Sequence, residues 1–241
     1  MSVALSFTES QTFAALRSFL LSILPAGIEV VRGQDNRVPE PEGSDFVVMT
    51  PILRERLETN VDTYSDTAFI GSISGATLTV TSVSLGAIAA GAQLLGNNLA
   101  GNTVVTALGT GAGGIGTYTV SPSQAVASQV IAAGTQMLLQ PTKVTIQLDV
   151  HGPNSGDNTQ IISTTWRDEY AVDQFATSGV DVTPLYASEP RQVPFMNAEQ
   201  QFENRWTIDV VMQANQVVTV PQQFASALNV ELIEVDATYP P

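Results

Sequence analysis

The residue types that perform chemistry are few in this chain and stand far apart. There is one histidine, His151, and no cysteine. His151 opens the run His151-Gly152-Pro153-Asn154, which has turn composition. Without histidine or cysteine partners it reads as a turn residue rather than a general base or metal ligand. The missing cysteines remove disulfides, thiol nucleophiles and thiolate-held zinc or iron–sulfur centres. Asp168, Glu169 and Asp173 fall on an expected helix, with Glu169 and Asp173 one turn apart. Paired carboxylates run glycoside hydrolysis, but Ile162, Trp166 and Tyr170 occupy the apolar face, so these acids read as a solvated face. Asp149 and Asp157 bracket a loop that superficially resembles a calcium site. It lacks the alternating oxygen ligands and the closing glutamate of an EF-hand.

The glycines invite a nucleotide reading. Gly109, Gly111 and Gly114 match G-x-G-x-x-G, as do Gly111, Gly113 and Gly116. The next residues, Thr117-Tyr118-Thr119-Val120, have strand character, whereas a pyrophosphate needs a helix N-terminus there. No acid follows at the ribose position. The one lysine, Lys143, follows no glycine, so there is no P-loop, and there is no G-x-S-x-G elbow. The expectation is a chain with no catalytic residue, no cofactor site and no metal site.

The elements that would position any site divide by composition. The chain has 241 residues, with 23 acids against nine bases and a formal net charge of -14. That balance opposes non-specific binding to nucleic acid or to an anionic membrane. No apolar run reaches the roughly 18 residues of a membrane span, and the first residues lack the basic region of a secretory signal. Between Asp66 and Lys143 there is no charged residue, and most of the 18 glycines fall in that window. Inside it, Thr77, Thr79 and Thr81 alternate with Leu78 and Val80, and Thr103-Val104-Val105-Thr106 repeats the pattern between glycine-rich turns. β-branched residues at this spacing fit short strands. Residues 68–128 therefore read as an inserted, uncharged, all-β module, either decorative or packed against neighbouring subunits or another protein to cover its strand edges.

The flanks, 1–67 and 129–241, read as one discontinuous domain. Thr8 and Gln11 fit a capping box, and Phe13, Leu16, Phe19, Leu20, Ile23 and Leu24 form a helical stripe stopped by Pro25 and Gly27. Strands are expected over 28–31, 46–49 continuing past Pro51, 144–150, 206–213 and 217–220. Helices are expected over 160–175 and 222–228, an extended proline-punctuated segment over 182–198, and a last strand over 230–235. Helices beside strands joined by short turns predict an α+β class with a mainly antiparallel sheet.

Several flank segments carry a likeness. They are 144–150 with His151-Gly152-Pro153, Thr165-Trp166-Arg167-Asp168, Pro184-Leu185-Tyr186 and Pro190-Arg191-Gln192-Val193-Pro194-Phe195. Asn197-Ala198-Glu199-Gln200-Gln201-Phe202, Arg205-Trp206 and Val218-Thr219-Val220-Pro221-Gln222 complete the set. Together they resemble the tail-terminator, or neck-terminator, proteins of tailed bacteriophages. The uncharged module is similar to a β-rich cassette found in assorted phage structural proteins.

The resemblance implies a curved sheet with helices packed on it and a homohexameric ring. Such a ring caps the completed tail tube, stops tube and sheath polymerisation and joins the tail to the head-completion proteins. It implies a place at the neck of the virion after synthesis in the host cytoplasm. The same likeness makes the proline-rich stretch a candidate subunit-interface arm, with Pro184, Tyr186, Pro190, Arg191, Pro194, Phe195, Asn197 and Arg205 as its residues. Arg191 and Arg205 are the bases expected to meet acids of a neighbour. The acid excess suits a channel through which DNA slides without sticking. A different class, a trimeric tail-fibre or spike protein using the β module as an adhesive or carbohydrate-binding domain, is the competing expectation.

Overall fold

A computed structural model describes residues 3–33, 41, 43–193, 195–196 and 202–222. In chain order its elements are β1 (Ala4–Leu5), α1 (Glu9–Ile23), β2 (Glu29–Arg32), β3 (Phe46–Arg56), β4 (Val61–Leu85), β5 (Gln93–Leu95) and β6 (Val104–Leu108). There follow β7 (Gly116–His151), α2 (Ser155–Trp166), α3 (Glu169–Ala176), β8 (Val182–Ala187), β9 (Arg191–Gln192), β10 (Phe195–Met196), β11 (Phe202–Glu203) and β12 (Arg205–Pro221). Ten strands join one sheet whose main path is β1-β12-β7-β3-β2, and β10 with β11 makes a separate two-stranded sheet.

The class differs from the α+β expectation of a mainly antiparallel curved sheet with helices packed on it. Strands take 56% of the described residues and helices 17%, in three short helices. The large sheet is mixed, because β2 runs parallel to β3. The physical reason lies at the prolines and glycines. Read alone they end strands, yet the ladders carry the chain through them. β7 passes Pro122, Gly134 and Pro141 and runs for 36 residues. β3 passes Pro51 by a register shift between Pro51 and Leu53. The two expected strands over 206–220 are one strand of 17 residues. The expected helix over 160–175 is cut after Trp166, because the Asp168 carboxylate accepts from Tyr170 N–H and starts α3. The helix expected over 222–228 and the strand over 230–235 fall, from residue 223 onward, outside the described residues.

The chain divides into two compact units, one built on Ala4–Asp62 with Leu138–Thr219 and the other, among the described residues, on Thr63–Met137 with Val3 and 220–222. β4 and β7 each contribute to both. In the larger unit, α1 begins with the capping box read from the sequence: Thr8 N–H donates to Gln11 Oε1 at 2.7 Å and Gln11 N–H to Thr8 Oγ1 at 3.3 Å. Such a cap contributes about 1 kcal/mol. Phe13, Leu16, Phe19 and Leu20 of α1 share one cluster with Val47 and Met49 of β3, Ile146 and Leu148 of β7, and Ile208 and Val210 of β12. Phe19, Trp166 and Phe175, one from each helix, meet with ring centroids 5.5–5.6 Å apart. Each such pair is worth roughly 0.5–1.5 kcal/mol beyond its buried area.

The smaller unit has its own cluster, including Phe69, Leu78, Leu94, Val105, Tyr118, Val120 and Ile131. β6 pairs antiparallel with the start of β7, and β5 with its middle. The uncharged polar residues are used inside. Buried Thr103 donates to Ala100 O at 2.7 Å and accepts from Gln124 Nε2 at 2.6 Å. The glycine run is a tight turn over Tyr118, whose hydroxyl donates to Gly114 O at 2.5 Å. A Cβ at Gly111 would stand 2.4 Å from that ring. Gly111 thus leaves room for an aromatic ring.

Candidate assembly surface

The larger unit's sheet has two chemically distinct faces. Successive residues of a strand point to opposite sides, so Ile146, Leu148 and Val150 of β7 enter the apolar cluster while Lys143, Gln147, Asp149 and His151 point away. Cross-strand partners on β3 extend this second face, Glu55 opposite Lys143 and Phe46 opposite His151. Its charges are matched in pairs. Lys143 Nζ lies 2.5 Å from Glu55 Oε2, and this hydrogen bond raises the Lys143 amine above its ordinary value. Asp149 is 7% exposed. Its Oδ1 accepts from Arg205 Nε at 3.0 Å, Arg205 Nη2 at 2.6 Å and Gln147 Nε2 at 2.9 Å. His151 closes β7, where the sequence placed a turn. Its ring stacks on Phe46 with centroids 4.5 Å apart, and its Nδ1 lies 2.9 Å from Glu203 Oε1. That explains a single buried histidine structurally: it anchors β11 to the end of the sheet.

The candidate interface residues spread along this region with different surroundings. Pro184 and Tyr186 lie on β8, which pairs with β12 through a register shift between Val211 and Met212. Pro184 is buried and Tyr186 exposed. A proline suits a strand paired on one side only. The Tyr186 carbonyl accepts from Trp166 Nε1 at 3.0 Å and that of Ala187 from Arg167 at 2.7 Å, so part of this strand is already bonded to the end of α2 and the residue after it. Pro190 is half-buried, and exposed Arg191 on β9 reaches Asp209 Oδ2 at 3.4 Å. Arg205 begins β12 and is bonded to Asp149. Both arginines expected to meet a neighbour's acids therefore have acids of their own chain. Phe195 is paired in β10 with Glu203, and Pro194 and Asn197 lie outside the described residues.

The β10–β11 hairpin adds a feature absent from the candidate set. Met196 stands directly opposite Phe202, and the two side chains are 54% and 80% exposed. The sequence signal was a phenylalanine closing the polar run Glu199-Gln200-Gln201, which periodicity does not assign to any buried face. A cleft of about 430 Å³ beside the hairpin is lined by Phe46, Gly152, Pro153, Phe202, Glu203 and Asn204. Among the described residues its one carboxylate, that of Glu203, is bonded to His151. Among the described residues no three histidine, aspartate or glutamate side chains gather as a metal site, and no helix is long and apolar enough to cross a membrane. Asp168 caps α3, and Asp157 and Glu169 lie in the first turns of α2 and α3, where acids interact favourably with the helix dipole.

No curated protein matches the chain. Residues 109–239 match the model of a family described as phage neck terminator protein.

Proposed function

Since the chain belongs to the phage neck terminator family, we propose that it closes into a ring, expected to be a homohexamer, that caps the tail tube at its head-proximal end. Membership makes it a structural protein of the phage tail and neck, carried in the virion, whose partners are tail and head-connector components. The family match over 109–239 is the observation that carries the proposal. A ring built from one repeated head-to-tail contact ends a polymer, because the contacts close on themselves after a fixed rotation. The subunit contact is proposed along the 184–205 stretch. Of the candidate residues, Tyr186 and Arg191 are exposed there, and Pro184 and Arg205 support the contact from within. Residues 68–128 are proposed as an insertion into the terminator domain that serves as a docking surface or decoration.

The proposed ring leaves a channel for DNA. The net charge of -14 repels phosphate within about one Debye length, roughly 8 Å at physiological salt. Electron microscopy of the purified protein tests the ring directly. Closed particles with a central hole, which arrest tube growth when added to polymerising tube protein, are expected. Rods or isolated monomers that leave tube length unchanged would end this reading. A mobility-shift assay tests the channel chemistry: duplex DNA is expected to migrate freely with the protein even at low salt, and retention would overturn the repulsive-lumen idea.

A further inference from the structure

Positive charge is unevenly matched in the larger unit. Among the described residues, every lysine and arginine except Arg17 and Arg56 lies beside an acid of its own chain. Arg17 Nε donates to the Val30 carbonyl at 2.9 Å and Arg56 Nη2 to Asn60 Oδ1 at 2.5 Å, so both acceptors are neutral. The two arginines share a flank. Glu9, Phe13 and Arg17 follow at four-residue spacing along one side of α1, and the Arg32 guanidinium lies 4.4 Å over the Phe13 ring. Arg54 stands opposite Val144, which belongs to the cluster that holds the helices, so Arg54 and Arg56 point to the helix side of the sheet. Glu9 is bonded to both Arg32 and Arg54, and Arg54 also to Gln216. Four arginines against Glu9, and against Glu58 in the link that follows β3, leave this flank positive. A cleft of about 180 Å³ opens beside them, lined by Phe13, Ile52, Leu53, Arg54 and Val144, with Ile52 and Leu53 exposed at its edge.

The same unit carries a surface of the opposite chemistry. From Asp168 to Glu189 there are five acids and no base, and all five are exposed. Glu189 is paired with Arg167, whereas Asp168 and Asp181 accept from neutral N–H groups of Tyr170 and Asn215. Glu169 and Asp173 have no base beside them among the described residues. Between these acids α3 turns Tyr170 and Val172 outward, each 42% exposed. α3 packs against β8, so the acidic surface is continuous with the proposed 184–205 contact. It does not meet the arginine flank of its own copy. Phe175 holds α3 on Phe19, and the groove between the two helices is lined by Ala14, Ala15 and Ser18 of α1, on the other side of that helix from Glu9, Phe13 and Arg17.

We propose that the acidic α3–β8 surface of one copy docks on the arginine flank of the next, with Tyr170 seated in the Phe13–Ile52–Leu53 cleft. Two different surfaces on one molecule make a heterologous contact, which closes a ring when the rotation permits. Opposite charge fixes the partner and its orientation, and the tyrosine supplies the apolar anchor at the centre of the contact. This inference rests on the ring reading above and names the surface that faces the 184–205 side of the neighbour.

A charge swap tests it on the full chain. Arg17→Glu/Arg56→Glu and Glu169→Lys/Asp173→Lys, all at exposed positions, are expected to keep cooperative thermal melts and to lose self-association when each variant is alone. Mixing the two is expected to restore it, because the reversed surfaces then match each other and the unchanged surfaces still match. Tyr170→Ser is expected to weaken self-association roughly 30-fold, the scale of an aromatic hot spot. A trap that leaves the charges in place guards against misfolded variants. The full chain has no cysteine, so Tyr170→Cys and Ile52→Cys chains are mixed and oxidised, and a disulfide-linked heterodimer is expected in excess of either homodimer. Rings that persist in both charge variants, with no cross-link, overturn the proposal and leave the ring reading standing. Intact rings that no longer cap tubes reassign these surfaces to a tail or head protein and overturn a second copy as the occupant. Cross-linked pairs that never close keep the contact and overturn the ring. A wild-type chain that stays monomeric at high concentration, with no cross-link in the mixture, overturns both.

Discussion

Two residues show how single positions are held by their partners. Asp149 is buried, and one of its oxygens accepts three hydrogen bonds, two of them from Arg205. Arg205→Ala is expected to leave that carboxylate without its cation. Removing one partner of a buried pair costs about 3–5 kcal/mol, and the partial exposure of Arg205 places the loss near the lower end. Urea unfolding measures it. A variant with unchanged stability but lost assembly would instead give Arg205 a purely intersubunit role. Gly111 is held by shape. Gly111→Ala drives a methyl group into the buried Tyr118 ring, and overpacking of this kind costs about 1–3 kcal/mol. Thermal melting with loss of Tyr118 protection from solvent is the expected result; an unchanged melt would show that the turn relaxes freely.

At the scale of elements, the long strand β7 carries the architecture. Its alternation divides an apolar face, which meets the helices' buried residues, from a face of matched charges. The Glu55–Lys143 pair joins β3 to β7 on that second face. Its hydrogen bond, opposed by desolvation and aided by the charges of Glu55 and Tyr186, raises the Lys143 amine above 10.5. A raised amine binds its proton more tightly in the folded chain than in the unfolded one. Its stabilising contribution is complete below the ordinary lysine value and is lost as pH climbs through the raised one. Lys143→Met is expected to flatten the alkaline fall in melting temperature relative to wild type, and unchanged steepness would show that the pair carries none of it. The β10–β11 hairpin belongs to this scale too, since its exposure follows from having one strand partner instead of two.

For the whole molecule, the decisive fact is that the two hydrophobic clusters draw on separate stretches of chain. Every residue of the cluster that holds the three helices lies outside 63–137. Replacing 63–137 with an Asn-Gly turn, which favours a tight hairpin, is therefore expected to leave a chain that folds cooperatively and still forms rings. Circular dichroism and electron microscopy would read this. Failure to fold would make the Thr63–Met137 unit a structural requirement and remove its proposed status as an insertion. The same molecule-wide view applies to charge. All acids and bases lie outside the stretch between Asp66 and Lys143, so the proposed repulsion of DNA belongs to the charged part of the chain, and the deleted form, which loses only Asp66 of the charged residues, is expected to repel it almost as strongly.

Short-range features were legible from the amino-acid sequence by itself. The Thr8–Gln11 cap, the buried stripe of α1, the alternation over 144–150 and the likeness to neck terminators needed no partner from elsewhere in the chain, because their energetics act within a few residues. Tertiary structure decided what depends on register. It carried strands through Pro51, Pro122 and Pro141, turning an expected α+β domain into a sheet-dominated one. It put Arg205 on Asp149 and Glu203 on His151, pairs more than fifty residues apart, and it left Phe202 exposed on a lone hairpin. A proline lowers local strand propensity by a fixed amount, whereas the ladder on either side of it adds hydrogen bonds and burial from distant segments. Only the folded chain brings those segments together, so only there does the larger sum prevail.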